Sequence, residues 1–205
     1  MKFLTLLFVF GFLCSASYNQ RENSPISSKL KVPNVGEIDY PSDKLEIQGE
    51  SMRKLKEINN PSLEPTKITL QQIGLNEGKN TNTYCRVILQ EIKGKSGDFL
   101  QRNLKSNDLT VSQKNQIINM YKTSIGGTQV KEWKSTEIID FKGNLCVKLF
   151  YIRGSAIAGK PDVYVQLYGF PQSSREIDLY LSCRINEVNF WTNDFDQIKN
   201  SLLLY

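Results

Sequence analysis

The stretch "GSAIAGKP", Gly154 to Pro161, has the spacing of a phosphate-binding loop up to its last position. In such a loop glycines and a lysine surround the phosphate, and a following Ser or Thr hydroxyl holds magnesium. The loop also runs from a strand into a helix whose amino end faces the anion. Here the preceding "KLFYIR" is strand-like, but Pro161 stands where the hydroxyl belongs and brings no amide hydrogen. The next run, "DVYVQLYGF", alternates Val163, Val165 and Leu167 with Tyr164, Gln166 and Tyr168, the period of a strand. No helix amino end follows the loop, so no nucleotide and no cofactor is expected there.

The wider inventory excludes more. The chain has no histidine, which removes the usual general base, the Ser-His-Asp and Cys-His nucleophile systems and most zinc sites. Asp194 and Asp196 in "NDFDQ" are two apart on a helical pattern and point away from one another; they read as exposed charges. Calcium loops of the D-x-D-x-D-G type are missing. A carboxylate pair assembled from distant strands is invisible to this reading and stays open. Two groups survive as a candidate binding surface. Tyr164, Tyr168 and Tyr180 would line one face of a sheet, although tyrosine also serves as packing volume with a polar tip. Arg153, Lys160 and Arg184 are the basic groups nearest these strands and would meet an acidic partner, or simply keep the surface soluble.

The elements that must position these residues are legible in the rest of the chain. "MKFLTLLFVFGFLCSA" (1–16) has one lysine, an apolar run from Phe3 to Leu13 and then small residues, the layout of a secretory signal peptide. Cys14 reads alternatively as a lipid-anchored cysteine, although Phe12 and Leu13 are bulky for that processing. The product would be exported, periplasmic or secreted, with no transmembrane segment after the signal. Residues 17–31 are polar and aperiodic, a flexible leader, and 32–205 form one domain. Without Lys2 the chain keeps 25 basic against 21 acidic side chains, a weak, dispersed bias with no stripe for nucleic acid. Cys85, Cys146 and Cys183 each sit in an apolar, strand-like run. They read as buried thiols, or as one disulfide with a spare thiol, Cys146 with Cys183 being the pair expected if their strands are neighbours.

Short β-like runs "GEIDYP" and "KLEIQ" precede a short helix over 50–58. "TKITLQQIGL" and "TYCRVILQEI" form a hairpin with a longer loop. A helix starts at Ser112, carries Ile117, Tyr121 and Ile125 on one face and stops at Gly126-Gly127. From Gln129 the chain is an antiparallel meander with short turns. Asn186 then caps a last helix with Val188, Trp191, Phe195, Ile198 and Leu202 on a single stripe.

This order, with "IRGSAIAGKPDVYVQLYGF" and "LYLSCRINEVNFWTNDFDQIKNSL", resembles the PsbP-like fold of the photosystem II extrinsic subunit and the Ran-binding nuclear import factor. Among its members the chain is most similar to small exported bacterial proteins. The resemblance spans Val32 to the C-terminus. It implies an α/β (α+β) architecture, an antiparallel sheet sandwiched between helices with the C-terminal helix packed on the sheet. Trp191, Phe195, Ile198, Ser201 and Leu202 occupy the family's closing-helix positions. These are core and turn residues, and none is catalytic, so neither manganese nor Ran binding carries over. The reading is a non-catalytic exported module that binds or scaffolds an unidentified protein or small ligand of the envelope. Its rivals are a carrier of a small apolar or amphiphilic ligand and a histidine-free carboxylate hydrolase.

Overall fold

The computed structural model describes residues 27–56, 67–75, 83–94, 104–125, 130–172 and 174–205, without the side chains of 54–56. The signal-peptide region and residues 17–26 of the expected leader lie outside them. Seven antiparallel strands form the main sheet: β3 (Leu45–Ile47), β4 (Lys67–Gln72), β5 (Cys85–Lys93), β6 (Val130–Phe141), β7 (Asn144–Arg153), β8 (Val163–Pro171) and β9 (Arg175–Arg184). Their order across the sheet is β3-β4-β5-β9-β8-β7-β6. The meander from β6 to β9 therefore folds back hairpin by hairpin, and β9 closes against the earlier β4–β5 hairpin. A three-stranded sheet is built from β1 (Ser27–Val32), β2 (Gly36–Pro41) and β10 (Leu203–Leu204), with β2 in the middle.

Strand β1 covers residues 27–31, which the sequence places in a flexible leader. Leu30 and Val32 insert into the core, at 3% and 0% exposure. Lys29 reaches across to Glu37 at 2.9 Å. An apolar alternation of only two residues is too short to register as a strand period.

The sheet is covered on both faces. Helix α3 (Val188–Ser201) contacts β9 on one side and β2 of the small sheet on the other. Its stripe of Trp191, Phe195 and Ile198, with Leu202 at the C-cap, is buried, as its spacing predicts. A turn of 3-10 helix over Ile185–Glu187 precedes it, so Glu187 rather than Asn186 occupies the N-cap. Asp194 is not an exposed charge. It is 6% exposed and its carboxylate lies 2.9 Å from Lys44 Nζ, a pairing across 150 residues of chain that local periodicity does not reveal. Asp196 on the outer face pairs with Lys199 one turn on.

Helix α2 (Val111–Ser124) covers the opposite face, packing on β6 and β7. Its cap is Thr110: Thr110 Oγ1 accepts from the Gln113 amide at 3.3 Å and Gln113 Oε1 accepts from the Thr110 amide at 2.9 Å. This reciprocal pair satisfies two free amides and starts the helix ahead of Ser112. Ile117 and Tyr121 are buried and Ile125 forms the C-cap; Gly126 and Gly127 lie outside the described residues. Helix α1 (Gly49–Lys56) is tied to β4, the Thr69 amide donating to Ser51 Oγ at 2.9 Å.

Tyr121 lies directly over Gly169 of β8. A Cβ at Gly169 would fall inside van der Waals contact with the tyrosine ring, and Tyr121 Oη is buried without a hydrogen-bond partner. Gly169→Ala should therefore destabilise the fold by ~1–3 kcal/mol through overpacking, whereas Tyr121→Phe should leave stability unchanged or raise it by up to about 1 kcal/mol. Urea unfolding checks both; a neutral Gly169→Ala would contradict this helix-on-sheet contact.

Candidate functional site

Because antiparallel partners share a face, the register arranges the α2 side of the sheet in rungs. Val147, Gly169, Asp178 and Gln90 are level across β7, β8, β9 and β5. The next rung is Leu149, Leu167, Tyr180 and Ile88, and the third is Tyr151, Val165, Ser182 and Arg86. In the fourth, Arg153, Val163 and Arg184 are level, and the Arg184 amide donates to the Tyr84 carbonyl at 3.1 Å. Leu149 and Leu167 cluster with Ile117 and Tyr121 of α2. Ile125 at the end of α2 packs with the Tyr151–Val163–Val165 cluster. Along one face the rungs thus pass from one that holds the buried Asp178, through a mainly apolar one, to a cationic end.

At the cationic end a cavity of about 300 Å³ is walled by Tyr84, Arg86, Arg153, Ser155, Val163 and Arg184. The loop that nearly matches a phosphate-binding motif forms part of this wall. Its chain reversal uses Gly159 at φ +72°, a region glycine enters without steric cost. Arg184, 4% exposed, braces the loop from below: Nη1 donates to Ser155 Oγ at 3.0 Å and to the Pro161 carbonyl at 2.8 Å. Arg153 Nη2 donates to Tyr84 Oη at 3.3 Å. The guanidinium carbons of Arg86 and Arg184 lie 5.4 and 5.2 Å from the centroid of the Tyr84 ring, so two of the three cations rest on an aromatic face.

Among the described residues no carboxylate forms an ion pair with any of the three arginines. Glu187 is within electrostatic reach of Arg184. Its Oε2 accepts from the Tyr84 amide at 3.3 Å, and burial pushes its carboxyl up against the opposing pull of that amide and of Arg184. Asp162, beside the loop, is already neutralised by Lys131 at 2.8 Å. The Nε atoms of Arg86 and Arg184 are buried without hydrogen-bond partners.

The structure brings together some of the sequence-predicted residues and separates others. Arg153 and Arg184 meet in the cavity wall, whereas Lys160 sits in the loop without lining the cavity. The three tyrosines do not share a face. Tyr180 is level with Leu167 and points to the α2 side, whereas Tyr164 and Tyr168 are level with Cys183 and Leu179 on the α3 side. There both tyrosines stack edge-on against Phe150. Tyr84, Arg86 and Ser155 are cavity residues that sequence reasoning missed. The alternation in "TYCRVIL" puts Tyr84 and Arg86 on one side, and only the β5–β9 register sets them beside Arg184.

The buried carboxylates nearest to a pair come from one strand and not from distant ones. Glu176 and Asp178, both buried, are two apart on β9 and share its α2 face. Glu176 borders an open groove of about 900 Å³ along α2, lined with Met120, Tyr121 and mainly hydroxyl and amide side chains. Asp178 does not line that groove. It is 1% exposed, and its Oδ2 accepts from Gln90 at 3.2 Å and Tyr180 at 3.3 Å. Among the described residues no group of three His, Cys, Asp or Glu side chains could hold a metal ion, and no helix is long and apolar enough to cross a membrane.

Cys146 and Cys183 are not bonded, because β8 lies between their strands and Cys183 is level with Tyr164 and Ile152, six residues along from Cys146. At about 3.3 Å of rise per residue that offset far exceeds the roughly 7 Å a disulfide allows between Cα atoms. Cys183 instead faces Cys85 across β5 and β9. All three cysteines are buried and free.

No family model matches the chain, and no curated protein does. Solved structures to which it is similar include one of the PsbP type that the sequence resembles. This is a cyanobacterial PsbP, CyanoP, from Synechocystis, at 13% identity over 87% of this chain and 92% of that one, with a TM-score of 0.47. A Bacteroides thetaiotaomicron protein aligns at 7% identity with a TM-score of 0.47 over 86% of this chain, which spans only 48% of its length. LpqN, involved in cell envelope biogenesis of Mycobacterium tuberculosis, aligns at 11% identity over 87% and 91% of the two chains, with a TM-score of 0.42.

Burial pushes the Cys183 thiol up to about 12 and raises Cys85 and Cys146 as well, Cys183 adding to the effect on Cys85. It also pushes the Tyr151 hydroxyl up to about 12. The folded chain holds these protons more tightly than the unfolded chain. Their stabilisation is complete below the ordinary thiol range, about pH 8.5, and is lost as pH rises toward 12. Peptide mass spectrometry after iodoacetamide treatment at about pH 8 should find Cys85, Cys146 and Cys183 unmodified in the native protein and modified in urea. Rapid native modification of any of them would contradict their burial.

Proposed function

We propose that this chain is an exported, non-catalytic binding module whose recognition site is the arginine-walled cavity at the loop end of the sheet. The observation that carries the reading is the gathering of Arg86, Arg153 and Arg184 around one concavity with no carboxylate among the described residues of its lining. Elsewhere the molecule neutralises partly buried charge with a partner, as at Lys44 with Asp194 and Arg175 with Glu91. Three clustered guanidiniums repel one another, and a site of this shape holds that arrangement for something that arrives with negative charge. The N-terminal pattern supports export, so the ligand would be a component of the envelope or its surroundings. The absence of histidine and the enclosure of Asp178 support a binding rather than a chemical role.

The second reading, a carrier of an apolar or amphiphilic ligand, draws on the groove of about 900 Å³ along α2. The surface exposed in that groove is mainly apolar, which suits such a guest, but the groove lies open along the helix and does not enclose one.

Thermal unfolding against a mixed set of anionic, neutral and apolar small molecules tests these readings. Anionic members alone should stabilise the protein, by about 2.7 kcal/mol at a hundredfold excess over Kd. The double variant Arg86→Gln/Arg153→Gln should lose that gain while still unfolding cooperatively. Stabilisation by apolar members that survives in the double variant would overturn the arginine site in favour of the carrier.

A further inference from the structure

We infer that the cavity binds the dianionic phosphate group of a small phosphate monoester; this rests on the reading that the arginine-walled cavity is a binding site. The first ground is charge. Three guanidiniums line the site and, among the described residues, Glu187 is the carboxylate that interacts with one of them, Arg184, so these four groups carry a net of two positive charges. A phosphate monoester carries about −1.5 to −2 near pH 7, whereas a carboxylate or a sulfate monoester carries one negative charge.

The second ground is hydrogen-bond polarity. An arginine side chain offers donors and no acceptor. Two of the hydroxyls at the site are already used as acceptors: Ser155 Oγ accepts from Arg184 Nη1 at 3.0 Å and from the Ile157 amide at 3.1 Å, and Tyr84 Oη accepts from Arg153 Nη2 at 3.3 Å. Both hydroxyl hydrogens are thereby left to donate. The Nε groups of Arg86 and Arg184 have no partner either; they are buried in the wall, so they add to its excess of donors without being open to the cavity. A site that presents donors matches a group that is all acceptor, and three terminal phosphate oxygens accept from more directions than the two of a carboxylate. The third ground is size. About 300 Å³ admits the phosphate and a small organic part, which would rest on Leu75, Ile157 and Val163 of the same wall.

This is not nucleotide binding by a glycine-rich loop. The loop contributes Ser155 and a brace point for Arg184, and the charge comes from strand residues on β5, β7 and β9.

Isothermal titration of the full mature chain with phenyl phosphate, phenyl sulfate and benzoate tests the assignment, since the three share a ring and differ in anion. Phenyl phosphate should bind at least tenfold more tightly than either of the others. Arg153→Gln should weaken it at least tenfold, and Ser155→Ala severalfold, with circular dichroism confirming the fold of each variant. Phenyl sulfate or benzoate binding as tightly, with that binding still lost in Arg153→Gln, would overturn the phosphate assignment and leave the binding site standing. No binding by any of the three, or binding indifferent to Arg153→Gln and Arg86→Gln alike, would overturn both. If an arginine variant fails to fold, the ranking of the three ligands on the unaltered chain still decides the phosphate assignment.

Discussion

The register of β9 between β5 and β8 is the constraint on which the rest of the molecule depends. Leu179, Leu181 and Cys183 turn to one face of the main sheet, and Tyr180, Ser182 and Arg184 to the other. A slip of one residue would exchange these two sets. It would send Arg184 into the apolar space beneath Trp191 and Phe195 and bring Leu181 toward the loop cavity. Each face is covered by a different helix, so the register is specified twice, once by each helix's apolar stripe. The Cys85–Cys183 and Leu89–Leu179 pairs show the same placement from the β5 side.

Coverage of the two faces is unequal. On the α3 side the helix, the small sheet and the main sheet form one continuous core from Leu30 to Leu202. On the other side α2 spans the rungs from Val147 to Leu149 and extends by Ile125 to the Tyr151 cluster. The arginine rung lies at the next step. Arginine suits such a boundary, because its stem packs on apolar neighbours while its planar head carries the charge. Tyr84 provides the face on which two of those heads rest, and the loop after β7 closes the cavity from outside. The loop and the cavity are therefore one construction: Arg184 joins Ser155 and Pro161 at one end to the sheet at the other.

Much of the fold was legible in the sequence because its signals are local. The α3 stripe, the β4–β5 hairpin and the meander all declare themselves within about a dozen residues, the range over which periodicity is read. What depends on long-range pairing was not. Strand β1 has too few apolar residues to show a period, Asp194 meets Lys44 from the far end of the chain, and Thr110 displaces Ser112 as cap through a reciprocal bond with Gln113. At the candidate site Arg153 and Arg184 were visible as charges, yet their convergence was not. Alternation places Tyr164 and Tyr168 on one face of β8 but carries no information on the phase of the next strand, so it does not show that Tyr180 points the other way. The same phase, once known, adds Tyr84 and Arg86 to the site and breaks the expected Cys146–Cys183 pair.

The central claim is that three guanidiniums from three strands act as one site. Its most direct measurement is a nitrogen-15 NMR titration that follows the arginine Nε–H resonances as inorganic phosphate is added. Arg86, Arg153 and Arg184 should shift together along a single binding curve, while Arg175, held 3.3 Å from Glu91 at the other end of the sheet, should stay in place. Independent curves for the three, or an equal shift at Arg175, would contradict the claim.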